Sequence, residues 1–151
     1  RHDGGTRRGS GEVVIEEVLF QDSAGISRNN FRSDEEVRVV VRARAEEEVA
    51  GPAVGLGVFT DEGTRIFGTN TSRLNLSLGK VEKGERFSVF FAFPQLGLAE
   101  GSYLISVMVH TEDGLKDFDR IDKGFRIFVE NVKGFHGIFD LNPVVHMTRG
   151  E

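Results

Sequence analysis

Residues 37–45 read VRVVVRARA, and this alternation constrains the fold more than any other feature of the chain. Val37, Val39, Val41, Ala43 and Ala45 fall on one side of an extended backbone. Arg38, Arg42 and Arg44 fall on the other, with Val40 the exception. A period of two means a β-strand with one buried face and one wet face. Tyr103, Ile105, Val107 and Val109 repeat the pattern opposite Leu104, Ser106, Met108 and His110. Phe87, Val89, Phe91 and Phe93 give a third run, stopped by Pro94. The last two runs carry apolar residues on both sides, so they are expected as central strands whose second face something must cover.

Shorter runs complete the set. Val13–Phe20 loses its parity at Glu16-Glu17, where a bulge is expected. Val54, Leu56 and Val58 alternate with Gly55 and Gly57, which leaves one face bare for close packing or a ligand. Leu74, Leu76 and Leu78 alternate with Arg73, Asn75 and Ser77, and predict a further strand. Glu112–Lys123 reads as a polar loop and Gly124–Glu130 as the returning strand. No stretch has a helical apolar period of useful length. Short strands divided by turn signals predict an all-β, immunoglobulin-like antiparallel β-sandwich. Leu98 to Tyr103 has the spacing of a tyrosine corner, which gives Tyr103 a structural role.

The stretch GVFTDEGTRIFGTNT, residues 57–71, is the centre of this plan. Asp61 to Thr64 is a hairpin turn in which Gly63 supplies the positive φ. Gly68 permits a bulge or close backbone approach. Asn70 and its threonine neighbours suit a corner held by side-chain bonds to local backbone. They also suit a polar edge for a ligand, although spacing alone favours the corner.

Composition narrows the function. The 151 residues are enough for one domain with its own core, and a net charge of −5 argues against nucleic acid as a partner. The absence of cysteine removes disulfides and thiol chemistry, and suits the cytoplasm. No apolar run reaches the length of a membrane span. Arg1 in place of Met suggests a fragment or a processed piece. The chain contains no Walker A loop, no G-x-S-x-G elbow and no HExxH. His2, His110, His136 and His146 lack ligand spacing. Asp117, Asp119 and Asp122 match a calcium loop only loosely and are expected in a solvated loop, so no metal and no cofactor is predicted.

The order of these motifs resembles the C-terminal carbohydrate-binding domain of Wzt-type ATPase subunits, which serve ABC exporters of bacterial O-antigen polysaccharide. The resemblance rests on Gly11-Glu12 before Ile15, Asp22 and Gly25, Phe31 and Glu36, and Pro52-Ala53-Val54-Gly55. It continues through Asp61-Glu62-Gly63, Gly68-Thr69-Asn70-Thr71, Gly101-Ser102-Tyr103 and Phe125. It implies a cytoplasmic domain that recognises the nascent glycan at the inner face of the inner membrane. The parent nucleotide-binding and membrane subunits would be its partners, and residues 1–11 the linker from the ATPase domain. Sugar sites usually offer an aromatic platform, yet Trp is absent and the single Tyr reads as structural.

Three functions are therefore weighed: a non-enzymatic glycan-binding module, an immunoglobulin-like interaction or dimerisation domain without sugar binding, and a glycoside-active enzyme. The first is favoured, with Arg65, Phe67, Asn70, Arg73 and Asn75 as candidate carbohydrate-binding residues. Residues 12–131 are expected to form the sandwich. Residues 132–151 form a C-terminal segment whose Phe135, Ile138, Phe139 and Leu141 pack on a partner in a homodimer or fold back onto their own sheet.

Overall fold

The computed structural model of the chain describes residues 5–132 and 134–149. Among the described residues nine strands run in order: β1 (Thr6–Arg8), β2 (Val13–Gln21), β3 (Asn30–Arg32), β4 (Val37–Ala45), β5 (Pro52–Thr60), β6 (Arg65–Asn70), β7 (Arg86–Phe93), β8 (Gly101–Thr111) and β9 (Asp117–Glu130). They form two sheets. The larger has the order β1-β9-β8-β5-β6, and the smaller β2-β4-β7. Short β3 joins β9 in parallel, while the other strand pairs are antiparallel. The described residues contain no helix, and so none long and apolar enough to cross a membrane.

The alternating runs close the sandwich. Val37, Val39, Val41, Ala43 and Ala45 of β4 are all buried, as are Tyr103, Ile105, Val107 and Val109 of β8. Burying a Val or Ile side chain contributes roughly 1.5–3 kcal/mol relative to leaving it exposed. A one-residue slip of either strand would forfeit that for the whole row, so register is strongly specified. The bulge in β2 falls where parity breaks, between Ile15 and Glu17. Tyr103 forms the corner: its hydroxyl donates to the Ala99 carbonyl at 2.6 Å.

Four expectations change. First, β7 is an edge strand, not a central one, and its Phe90 is exposed. Second, Leu74, Leu76 and Leu78 form no strand. Thr71 is tied to Val54 through both its backbone N–H (2.9 Å) and its Oγ1 (3.1 Å). The N–H groups of Leu74 and Leu76 then bond back to Asn70 and Thr71 carbonyls, which coils the backbone and leaves both leucines exposed. Third, Asp117–Lys123 is no loop but the start of β9, because Phe118 and Ile121 are buried there. Fourth, Thr6–Arg8 of the expected linker is strand β1, paired with Asp122–Arg120 of β9. The first four residues of that linker lie outside the described residues.

The end of the chain returns to its own domain over a short stretch. Leu98 and Phe139 form a bridge, Ala99 N–H donates to Ile138 O at 2.8 Å, and Asp140 N–H donates to Gly97 O at 2.7 Å. Phe139 thereby closes one side of an apolar cavity of about 210 Å³ between the sheets. Beyond it Leu141, Val144, Val145 and Met147 are exposed. Lys133 lies outside the described residues.

Candidate functional site

The hairpin of β5 and β6 decides which predicted residues meet. Its register pairs Val58 with Phe67 and Phe59 with Arg65, so Ile66 is the extra residue of a bulge. A bulge reverses side-chain parity. Phe67 therefore lies on the Val58 side of the sheet, half exposed at the rim of the apolar cavity, where its ring meets Phe93 edge-on at 6.0 Å. Arg65 points outward with Phe59, its guanidinium 5.4 Å from the centre of that ring. Gly68 sits opposite Gly57 in regular register and is not the bulge. Gly63 holds the expected positive φ, +89°.

The outward side of β5 carries Gly55 and Gly57, as the sequence implied. It is covered, not bare. A Cβ on Gly55 would stand 2.8 Å from Met108 Sδ and 3.2 Å from the Thr69 carbonyl. Phe59 is buried beneath Arg65 and Lys123, whose Nζ lies 4.6 Å from the ring centre. Long cationic side chains lay their stems over this aromatic while their heads stay in water. The second face of β8 and β5 is thus closed by Met108 and by these cations.

Beside this cover lies a polar pocket of about 390 Å³, lined by Arg65, Gly68, Thr69, Asn70, Arg73 and Arg120 together with Met108, His110 and Asp117. Asn70 builds one wall: its Oδ1 accepts the Arg73 N–H at 2.8 Å and so fixes the turn that presents Arg73. The corner expected at Asn70 is therefore also a wall of the pocket. Neither Phe67 nor Asn75 lines the pocket; Asn75 stands exposed past the turn with φ at 62°.

The pocket's charge balance differs from that of the opposite outer face. On β4, Arg38 pairs with Glu36 at 2.5 Å, Arg42 with Glu17 at 2.7 Å, and Arg44 with Glu16 and Glu46. In the pocket, Arg65 and Arg73 form no ion pair among the described residues. Arg120 reaches Asp117 only at 3.6 Å, and its buried Nε has no hydrogen-bond partner. Neighbouring Asp122 reports the field. Burial works against its charge, but the Ser106 hydroxyl and the cations Lys123, Arg120 and Arg8 hold its pKa below the ordinary carboxylate range.

Sequence reasoning missed Arg120 and Asp117 because it placed them in a loop. His110 and Met108 were legible as the outward parity of β8. The three aspartates form no cluster. Asp119 turns inward to Arg7, Asp122 accepts the Ser106 hydroxyl at 2.9 Å, and Asp117 faces Arg120.

Comparison with known proteins places this geometry in a family. The sequence profile of the Wzt C-terminal domain matches residues 5–141. A crystal structure of the C-terminal domain of Wzt superposes with a TM-score of 0.86, at 19% identity over 95% of this chain and 89% of that one. A Niemann-Pick type C2 protein from the Japanese carpenter ant gives 0.59, at 10% identity over 84% of this chain and 99% of that one. At such identities both likenesses speak for the fold alone. No curated protein matches the sequence. With the profile spanning nearly the whole described sandwich and its tail, the chain belongs to the Wzt C-terminal domain family.

Proposed function

We propose that this domain is a non-enzymatic module that binds O-antigen polysaccharide for an ABC exporter, and that it does so in the pocket beside the β5–β6 hairpin. Family membership supports the general role. The observation that carries the location is the pair of arginines without an ion-pair partner among the described residues, Arg65 and Arg73, joined by Arg120 with its Asp117, beside the hydrogen-bonding groups of Thr69 and Asn70. Pockets that take a ligand of moderate size measure roughly 300–1,000 Å³, and this one falls within that range.

Recognition proceeds through planar donors and amides rather than a Phe, Tyr or Trp platform, since none of these three side chains lines the pocket and the one ring there, His110, is buried. Arg65, Asn70 and Arg73 make the contacts. Phe67 stands at the rim of the apolar cavity on the other face of β6, and Asn75 shapes the adjacent turn. The domain works in the cytoplasm at the inner face of the inner membrane, beside the nucleotide-binding and membrane subunits of its exporter. A glycan array probed with the wild type and with Arg65→Ala/Arg73→Ala tests this reading. Binding that the double variant retains in full would move the site elsewhere.

A homodimer is the second part of the proposal. The apolar side chains of Leu141, Val144, Val145 and Met147 are exposed in a single chain, and a partner subunit would cover them. Light scattering on the whole chain and on one ending at Val132 tests it. A whole chain that is monomeric at high concentration refutes the dimer, and a truncated dimer places the interface elsewhere. A dimer that binds no glycan would favour the interaction-domain reading instead.

A further inference from the structure

We infer that the polysaccharide read by this pocket carries an acidic substituent, a carboxylate or a phosphate, on the sugar that enters it. This rests on the glycan-binding reading above and names its substrate class. Three arginines line the pocket against one carboxylate, Asp117. Elsewhere on the surface the described arginines are mostly matched: Arg28 with Glu35, Arg32 with Asp34, Arg86 with Glu16 and Arg126 with Asp61. In a chain of net charge −5, this concentration of unmatched cations stands out.

A neutral sugar would not resolve it. Covering Arg65 and Arg73 with hydroxyls alone removes water from two charges and supplies no countercharge, and a buried unpaired charge is costly. A carboxylate or phosphate supplies that countercharge and accepts two parallel N–H bonds from one guanidinium. Arg120 adds a third positive charge to the wall, beside Asp117. Asp117 then serves as acceptor for the sugar's hydroxyls. The acidic remainder of the domain repels an acidic polymer and directs it to this pocket.

The test uses the whole chain and a panel of oligosaccharides bearing uronate or phosphate groups, each beside its neutral counterpart. Uronates are also supplied as their carboxyl-reduced forms, and acetate and inorganic phosphate serve as free anions. Affinities come from calorimetry and sites from amide shifts. Acidic members are expected to bind at least tenfold tighter than their neutral counterparts, with shifts at Thr69, Asn70 and Arg73 and with affinity falling as salt rises. Arg73→Gln, in an exposed turn, is expected to remove most of that difference and leave the fold intact by circular dichroism. Whether uronates or phosphates show the gain separates the two acid sources. Equal binding of acidic and neutral members overturns this inference and leaves the glycan reading standing. Free anions that bind as well as any saccharide, or a panel without any binder, overturn the glycan reading itself.

Discussion

Arg7 of β1 and Asp119 of β9 form a two-pronged ion pair, with the Arg7 Nη2 donating to Asp119 Oδ2 at 2.7 Å and Nε to Oδ1 at 3.1 Å. The same carboxylate accepts the Ile15 N–H of β2 at 2.8 Å, and the Arg7 Nη2 also donates to the Ile15 carbonyl at 2.8 Å. Three strands from both sheets thus meet at one buried carboxylate. Hydrogen bonds to charged groups contribute about 1.5–3 kcal/mol each, net. Asp119→Ala is therefore expected to destabilise the domain by about 2–3 kcal/mol in urea unfolding. Arg7→Ala should overlap with it, because the two changes remove one shared interaction. Full additivity would show that the pair is not coupled.

The tyrosine corner gives a smaller and cleaner change. Tyr103 is buried, which raises its phenol pKa, and its hydroxyl has the Ala99 carbonyl as its partner. Tyr103→Phe keeps the ring and loses that bond, and a net loss of about 1 kcal/mol is expected. Urea midpoints at constant m-value measure it.

Gly55 tests the packing on the outer face. An added Cβ would collide with Met108 Sδ at 2.8 Å and press on the Thr69 carbonyl at 3.2 Å. Overpacking of this kind costs about 1–3 kcal/mol. Gly55→Ala should destabilise by that order, and Met108→Ala in the same chain should recover part of it. Without such recovery the strain lies with the β6 backbone.

Acid stability should carry a contribution from Glu12. The Lys116 ammonium, and after it the Ser10 hydroxyl, lower its pKa from 4.5 to about 2. A depressed folded-state pKa means a stabilisation present above the unfolded value and lost as pH falls through the folded one. The window runs from about pH 4.5 down to about pH 2. Glu12→Gln should flatten that part of the curve of urea midpoint against pH. An unchanged slope would show that Lys116 does not hold this carboxylate in solution.

The apolar cavity predicts a stabilising change. Val39 lines it and is buried on β4. Val39→Ile adds one methylene to unfilled space, worth up to about 0.8 kcal/mol. A rise in Tm by calorimetry is expected, and a fall would mean that the walls already meet around Val39.

Much of this protein follows from the sequence because a single period carries it. Alternation at Val37–Ala45 and at Tyr103–Val109 sets which side of each strand is buried, and burial of those rows makes the sandwich. The hairpin turn at Gly63 and the corner at Tyr103 were legible too, since each depends on residues close in the chain. Tertiary structure decided the rest. Leu74 to Leu78 alternates as well as any strand, yet Thr71 is captured by Val54, and a local pattern carries no sign of that partner. Asp119 looked like loop polarity until Arg7, distant in sequence, satisfied it. One bulge at Ile66 set Phe67 and Arg65 on opposite faces of β6, and no residue type there announces it. The pocket joins β6, β8 and β9. Its composition is a property of sheet order, which long-range pairing fixes and local periodicity does not.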